Sequence, residues 1–169
     1  MWLRVNQRRI SVEQYLKLLA SAGHSAKYHS GQAVRLEKPL PVHELPGFND
    51  GFVSVQDLGA QPADAMLGVA TGMRVLDACA APGGKTSHLL ELADLDLLAL
   101  DIDSARLSRV VLNLDRLGLK AKLEVGDAGK CGEWWDQRPF DRILLDLPCS
   151  GSGAVRRHPD IKWIRRETD

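Results

Sequence analysis

Residues 77–86 read Asp77-Ala78-Cys79-Ala80-Ala81-Pro82-Gly83-Gly84-Lys85-Thr86, and they join an apolar run from Arg74 to Cys79 to a helical segment from Thr86 to Leu92. Small residues and paired glycines at such a turn let a ligand approach the backbone, with the N-terminus of the next helix pointing at it. Outward from this turn, apolar runs of strand length recur at Leu95 to Asp101, Lys122 to Asp127 and Arg142 to Leu147. A longer helix is expected from Ala105 to Leu117, with Ser104 as its N-cap and Gly118 as its stop. Strands alternating with helices predict an α/β fold, a parallel sheet with crossover helices.

If the strands take the 3-2-1-4 order usual for such sheets, the fourth strand lies at an edge. That strand, Ile143-Leu144-Leu145-Asp146-Leu147, is apolar on both faces, and buried parallel strands normally have neighbours. The chain is therefore expected to be a fragment lacking a C-terminal part of its sheet, and to self-associate along the uncovered strand.

Upstream, Ser11-Val12-Glu13-Gln14 is a capping-box pattern, and Val12, Tyr15, Leu16, Leu19 and Ala22 recur at helical spacing until Gly23. Ala33 to Glu37 and Phe52 to Gln56 read as short strands around a stretch rich in proline and glycine, and a further helix is expected from Ala63 to Val69. The chain thus divides into an N-terminal α+β segment, residues 1–60, and a larger α/β domain, residues 61–169.

Composition narrows the function. The 169 residues are 44% hydrophobic and 26% charged, with 22 basic and 22 acidic side chains, so no bulk charge announces a nucleic-acid partner. No apolar run approaches the roughly 18 residues of a membrane span, and the start has no signal-peptide layout, so a cytoplasmic protein without a membrane partner is expected. Cys79, Cys131 and Cys149 have no C-x-x-C spacing, which argues against a disulfide framework or a zinc site; no metal is expected. The five histidines have no convincing ligand or catalytic spacing.

Two nucleotide-type readings compete at the turn. Residues 79–86 approximate the phosphate-binding pattern G-x-x-x-x-G-K-[ST], but Cys79 stands where the first glycine belongs. A P-loop ATPase could also use Asp146, at the end of an apolar strand, for magnesium. Against this, the second strand ends in Asp101, where nucleoside-binding sheets place a carboxylate that accepts ribose hydroxyls. The third strand ends in Gly126-Asp127, and Asp77, Asp101, Asp127 and Asp146 are expected to share one rim. Four carboxylates would repel a triphosphate lacking bound metal but suit ribose hydroxyls, an adenine amino group and a cationic sulfonium. That ligand is S-adenosylmethionine. The plain alternative is a tight turn at Gly83-Gly84 and aspartates that cap helices.

Asp146-Leu147-Pro148-Cys149-Ser150-Gly151-Ser152-Gly153 follows the fourth strand and carries Cys149 onto the functional rim. Carbon 5 of a pyrimidine is a poor nucleophile, and methylating it requires a thiolate added first at carbon 6. The residues alone therefore make Cys149 a candidate nucleophile, against the alternative of a small buried thiol in a Gly/Ser loop.

DACAAPGGKT at residues 77–86, Asp101-Ile102-Asp103, DLPCS at residues 146–150 and RRHPDIKW at residues 156–163 together resemble the bacterial small-subunit ribosomal RNA (cytosine-5)-methyltransferase family. The resemblance spans essentially the whole chain. It implies a Rossmann-like methyltransferase sheet in which Cys79, Ala80, Ala81, Pro82, Gly83, Gly84 and Lys85 wrap the methionine and ribose of S-adenosylmethionine. It further implies that Asp101 holds the ribose hydroxyls, Asp127 faces the adenine, and Asp146 lies near the methyl donor and the target base. The N-terminal segment would match the RNA-binding part of the family. By the same resemblance the attacking thiol sits in a Thr-Cys-Ser motif, which this sequence lacks. Cys149 becomes the assisting cysteine that helps resolve the covalent adduct, and the chain alone is expected to turn over poorly.

Contact with ribosomal RNA has local support. Residues 156–166 carry Arg156, Arg157, Lys162, Arg165 and Arg166 against Asp160, enough to track a phosphate backbone if exposed, and Trp163 among them could stack on an unpaired base. A solvated basic face with Trp163 packed inward explains the same residues. Two other outcomes stay open: a non-catalytic RNA- or nucleotide-binding module, and the ATPase.

Overall fold

Leu3, Val5, Val34, Leu36 and Val53 are buried together and belong to one small antiparallel sheet. In the computed structural model, which describes residues 1–147, 159–164 and 166, its strands are β1 (Trp2–Val5), β2 (Ala26–Ser30), β3 (Ala33–Leu36) and β4 (Val53–Val55). They pair in the order β2-β3-β1-β4. Helix α1 (Val12–Ser21) adds Tyr15 and Leu19 to the same cluster. Its N-terminus is the expected capping box: the Ser11 hydroxyl accepts the Gln14 N–H at 3.2 Å, and Gln14 Oε1 accepts the Ser11 N–H at 3.1 Å.

The apolar pattern does not announce β1 or β2. Arg4 interrupts the first, and four of the five β2 residues face solvent. Helix α2 (Gln61–Met66) is displaced from the expected Ala63 to Val69. Pro62 sits in its first turn, where a missing N–H costs no helical bond, and Gly68, at φ 62°, lies just beyond its end.

The second sheet contains β5 (Arg74–Asp77), β6 (Asp96–Asp101), β7 (Lys122–Val125) and β8 (Arg142–Leu144). All pairings are parallel and the order is β7-β6-β5-β8, the expected 3-2-1-4 arrangement. Alternation along the strands feeds two cores. Val75, Leu97 and Ala99 meet Leu89 of α3 (Gly84–Leu92) and Val110 and Leu114 of α4 (Ser104–Leu117). Leu76, Leu98 and Leu100 pack with Phe140 and with Trp134 of α5 (Cys131–Trp134). Complete burial of a side chain such as Leu89 contributes about 1.5–3 kcal/mol.

Other expected elements are present with their ends shifted by a residue or two. Two differences matter. The N-cap of α4 is Asp103, whose carboxylate accepts the N–H groups of Ala105 at 2.8 Å and Arg106 at 3.1 Å; Ser104 is the first helical residue. The fourth strand ends at Leu144 instead of Leu147, and among the described residues it bonds only to β5. Ile143 and Leu145 beside that edge are 49% and 61% exposed. A last short helix, α6, covers Ile161–Ile164.

Arginines join the two sheets. Arg8 donates to the Glu91 carbonyl at 2.8 Å and pairs with Asp94; Arg9 donates to the Leu117 carbonyl at 2.8 Å. Both carbonyls lie in last helical turns, where unsatisfied acceptors and the helix dipole favour a cation. In the other direction, Arg116 of α4 donates to the carbonyls of Phe48 and Val53 and lies 3.9 Å from the Phe48 ring centroid. His88 of α3 is held between Asp64 Oδ2 of α2, at 2.7 Å, and Gln32 Oε1 beside β3, at 2.6 Å. Its surroundings are structural, and sequence spacing could not reveal partners 24 and 56 residues away.

Candidate functional site

Strand β5 ends in Asp77, and the pleat turns this carboxylate inward. Asp77 Oδ2 accepts the Thr86 hydroxyl at 2.7 Å, and Oδ1 is buried without a side-chain partner among the described residues. Burial pushes the Asp77 pKa up to about 6; the Thr86 hydrogen bond opposes this, and the nearby Asp64 and Asp146 charges reinforce it. Asp77 therefore does not share the rim expected for it. It braces the first turn of α3 from beneath.

Above it the turn is fastened residue by residue. Ala80 N–H donates to the Leu100 carbonyl at 3.0 Å, and Ala81 N–H donates to Asp101 Oδ2 at 3.0 Å. From α4, Arg106 donates to the Ala81 carbonyl at 3.0 Å and Asn113 to the Pro82 carbonyl at 2.9 Å. Gly83 has φ 97°, and a Cβ there would lie 3.1 Å from the Val110 backbone, so the turn sits directly on α4. Both conditions require glycine.

A cleft of about 540 Å³ opens at the carboxyl ends of these strands, where open α/β sheets bind their ligands. Its walls include Cys79 and Ala81 of the turn, Asp101 and Ile102 after β6, Arg106 of α4, residues 126–129 after β7, and Asp146 after β8. Asp101 is buried; its Oδ1 accepts the Asp103 N–H at 3.1 Å and lies 3.6 Å from the Arg106 guanidinium. Asp127 Oδ1 accepts the Gly129 N–H at 2.9 Å, while Trp134 Nε1 props the Asp127 carbonyl at 2.8 Å. Trp134 thus packs beneath the cleft, against Leu76, Leu98 and Leu100. Lys85 turns to form an ion pair with Asp146. Burial first, then the Asp101 and Asp77 charges, raise the Cys79 thiol pKa, so this sulfur is a cleft wall and not a ready thiolate.

The expected loop residues do not all reach the cleft in the same way. Ala80 packs into the core and Gly83 against Val110, whereas Cys79 and Ala81 form the wall. Ile102, Arg106, Gly126, Ala128 and Gly129 line it without having been singled out as binding residues. Glycine directly after β7 was a readable signal for close approach; nothing in the pattern separates Arg106 from the other basic residues of α4. Cys149, Arg156 and Arg157 lie outside the described residues. Lys162 belongs to α6, where its neighbour Trp163 is 87% exposed instead of packed inward. Among the described residues no group of three or more His, Cys, Asp or Glu could hold a metal ion, and no helix is long and apolar enough to cross a membrane.

The family model for the 16S rRNA methyltransferase RsmB/F matches residues 65–169. The chain belongs to the RsmB/F methyltransferase family. A second model, the ferredoxin-like domain of RsmF/B-like methyltransferases, matches residues 1–43. Ribosomal RNA small subunit methyltransferase B of Salmonella arizonae is 53% identical over 172 residues, covering 100% of this chain and 40% of the relative. The crystal structure of PH0851 superposes with a TM-score of 0.91 at 32% identity, covering 99% of this chain and 39% of the other. A methyltransferase homologue from Pyrococcus horikoshii superposes with a TM-score of 0.81 at 36% identity, covering 96% of this chain and 55% of the other. The chain spans about 40% of the length of the curated RsmB/F relatives it matches. The β7-β6-β5-β8 sheet is the Rossmann-like sheet of S-adenosylmethionine-dependent methyltransferases, and RsmB/F membership with this fold implies a methyl donor of that type.

Proposed function

We propose that this chain carries the S-adenosylmethionine site of an enzyme that methylates carbon 5 of a cytosine in small-subunit ribosomal RNA. The observation that carries the reading is the Asp101 carboxylate, which holds the Ala81 N–H of the glycine turn and lies on the cleft wall. The turn and the carboxylate are thereby one preorganised unit. The residues present fit the ligand: a cleft within the size range of small-molecule sites, the small residues Cys79 and Ala81 of the turn on its wall, and carboxylates suited to hydroxyl, amino and sulfonium groups.

In this reading Cys79 to Lys85 cradle the methionine and ribose, Asp101 accepts the ribose hydroxyls, Asp127 accepts the adenine amino group, and Asp146 faces the methyl group and target base. S-adenosylmethionine, once bound, supplies an electrophilic methyl group. Arg156, Arg157 and Lys162 engage RNA phosphates, with exposed Trp163 available for stacking. Cys149 assists release of the product. Residues 1–60 form the RNA-facing segment and residues 61–169 the methyltransferase domain. The family resemblance assigns the nucleophile to a Thr-Cys-Ser motif absent from this sequence, so binding without appreciable turnover is expected of the 169-residue chain.

The P-loop alternative meets a specific obstacle. Its Ser/Thr must face magnesium, but the Thr86 side chain is buried and committed to Asp77, and Lys85 is paired with Asp146. Calorimetric titration with S-adenosylmethionine, run beside ATP with magnesium, separates the readings. Binding of the methyl donor alone is expected; ATP binding without it would overturn the proposal.

A further inference from the structure

Arg4 of β1 is fully buried, and each of its five N–H donors has a partner. Nε and Nη2 form a bidentate pair with Glu91 Oε2 and Oε1 at 3.0 and 2.8 Å. Nη1 donates to Gln56 Oε1 at 2.7 Å and to the Gly84 carbonyl at 2.8 Å, and Nη2 reaches the Ser87 hydroxyl at 3.1 Å. One rigid fork from the small sheet thus grips both ends of α3, the helix that opens the glycine turn.

The contact with Gly84 reaches furthest. In a planar trans peptide the carbonyl and the next N–H point in opposite directions. A guanidinium that fixes the Gly84 carbonyl on one side therefore fixes the Lys85 N–H on the other, among the helix N-terminal donors that have no intrahelical acceptor. Glu91 holds the guanidinium in place, and Gln56 keeps it from rotating away.

We propose that Arg4 is a positioning residue for the methyl-donor site: the small N-terminal sheet holds the Gly83-Gly84-Lys85 backbone in its ligand-receiving form through the Arg4 to Gly84 hydrogen bond. The inference rests on the cofactor reading above. It makes the N-terminal segment a structural part of the cofactor site as well as a candidate RNA-facing surface.

The test separates positioning from stability. Replacing a buried ion pair by apolar residues of similar volume is often neutral for stability, whereas removing one partner is not. The double variant Arg4→Met/Glu91→Met leaves Gln56 Oε1 without its donor, so it is expected to melt below the parent chain but to fold, and to bind S-adenosylmethionine about tenfold more weakly, the scale of one hydrogen bond to a charged group. Amide NMR shifts should move at residues 83–85. Should the double variant fail to fold, Arg4→Lys serves: it keeps a charge for Glu91 but lacks the fork that reaches Gly84, and the same loss of affinity is expected. Arg8→Ala, which loosens the same interface away from the turn, should lower the melting temperature and leave affinity unchanged. Parent-like affinity in a folded double variant or in Arg4→Lys would overturn the inference while leaving the cofactor reading intact. No binding by the parent chain would remove both.

Discussion

Thr86 donates its hydroxyl to Asp77 Oδ2 over 2.7 Å with both side chains sealed from solvent, so the first turn of α3 is bolted to the end of β5. The folded pKa of Asp77, about 6, lies above its ordinary 3.8, so folding favours the protonated form. That contribution is fully present below pH 3.8 and is lost as pH rises through about 6. Unfolding free energy is expected to fall by about 3 kcal/mol across this window, and Asp77→Asn should flatten the dependence. Urea melts of parent and variant across the window measure it. An equally steep slope in the variant would assign the titration to another group.

Gly83→Ala should destabilise the chain by about 1–3 kcal/mol, because it forces a positive φ on alanine and pushes a methyl against Val110. Thermal melting reports the cost. A melting temperature equal to that of the parent would mean that the turn can move away from α4.

At the start of α4 the two neighbouring cap candidates give opposite expectations. Asp103→Ala removes the carboxylate that accepts two helix N–H groups and should cost about 1 kcal/mol, whereas Ser104→Ala should stay within about 0.5 kcal/mol. Chemical denaturation of both variants decides which residue caps the helix.

Asp101→Asn keeps the shape of the carboxylate but removes its charge and one acceptor. Affinity for S-adenosylmethionine is expected to fall about tenfold to a hundredfold, the range for hydrogen bonds to a charged group. Calorimetry on the variant checks this; unchanged affinity would take Asp101 out of the ribose-binding role.

The open side of β8 leads to an expectation about association. With Ile143, Leu145 and Leu147 about half exposed or more beside a strand paired on one side among the described residues, the chain should self-associate as its concentration rises. Leu145→Lys should shift sedimentation toward the monomer. A strict monomer at every concentration would contradict the expectation.

The strands and the turn were legible because their signals are local: apolar runs, paired glycines and terminal aspartates lie within a few residues of one another. The strand order followed from the usual arrangement of parallel sheets of this class. Asp101 and Asp127 reached the cleft as their strand-end positions implied. Asp77 did not, because sequence shows that a carboxylate ends a strand but not which side of the pleat the next helix will claim. Ser104 and Asp103 are adjacent and chemically equivalent as caps, so composition could not choose between them. Arg4 was illegible for a stronger reason. A charged residue in the first strand reads as exposed, and only Gln56, Gly84, Ser87 and Glu91, from 52 to 87 positions away, make its burial tolerable.

The Arg4–Glu91 pair also sets a schedule for synthesis. The ribosome exposes these two residues 87 positions apart, an interval of roughly 4–17 s at ordinary elongation rates. Throughout that interval the nascent small sheet must leave Arg4 in water or bury a cation without its counter-charge. The core around Leu3 and Val5 draws on residues up to Val53 and can close earlier with the guanidinium left in water. The face that Arg4 occupies is sealed only after α3 has emerged, so an early segment of the polypeptide waits for a later one before either is complete.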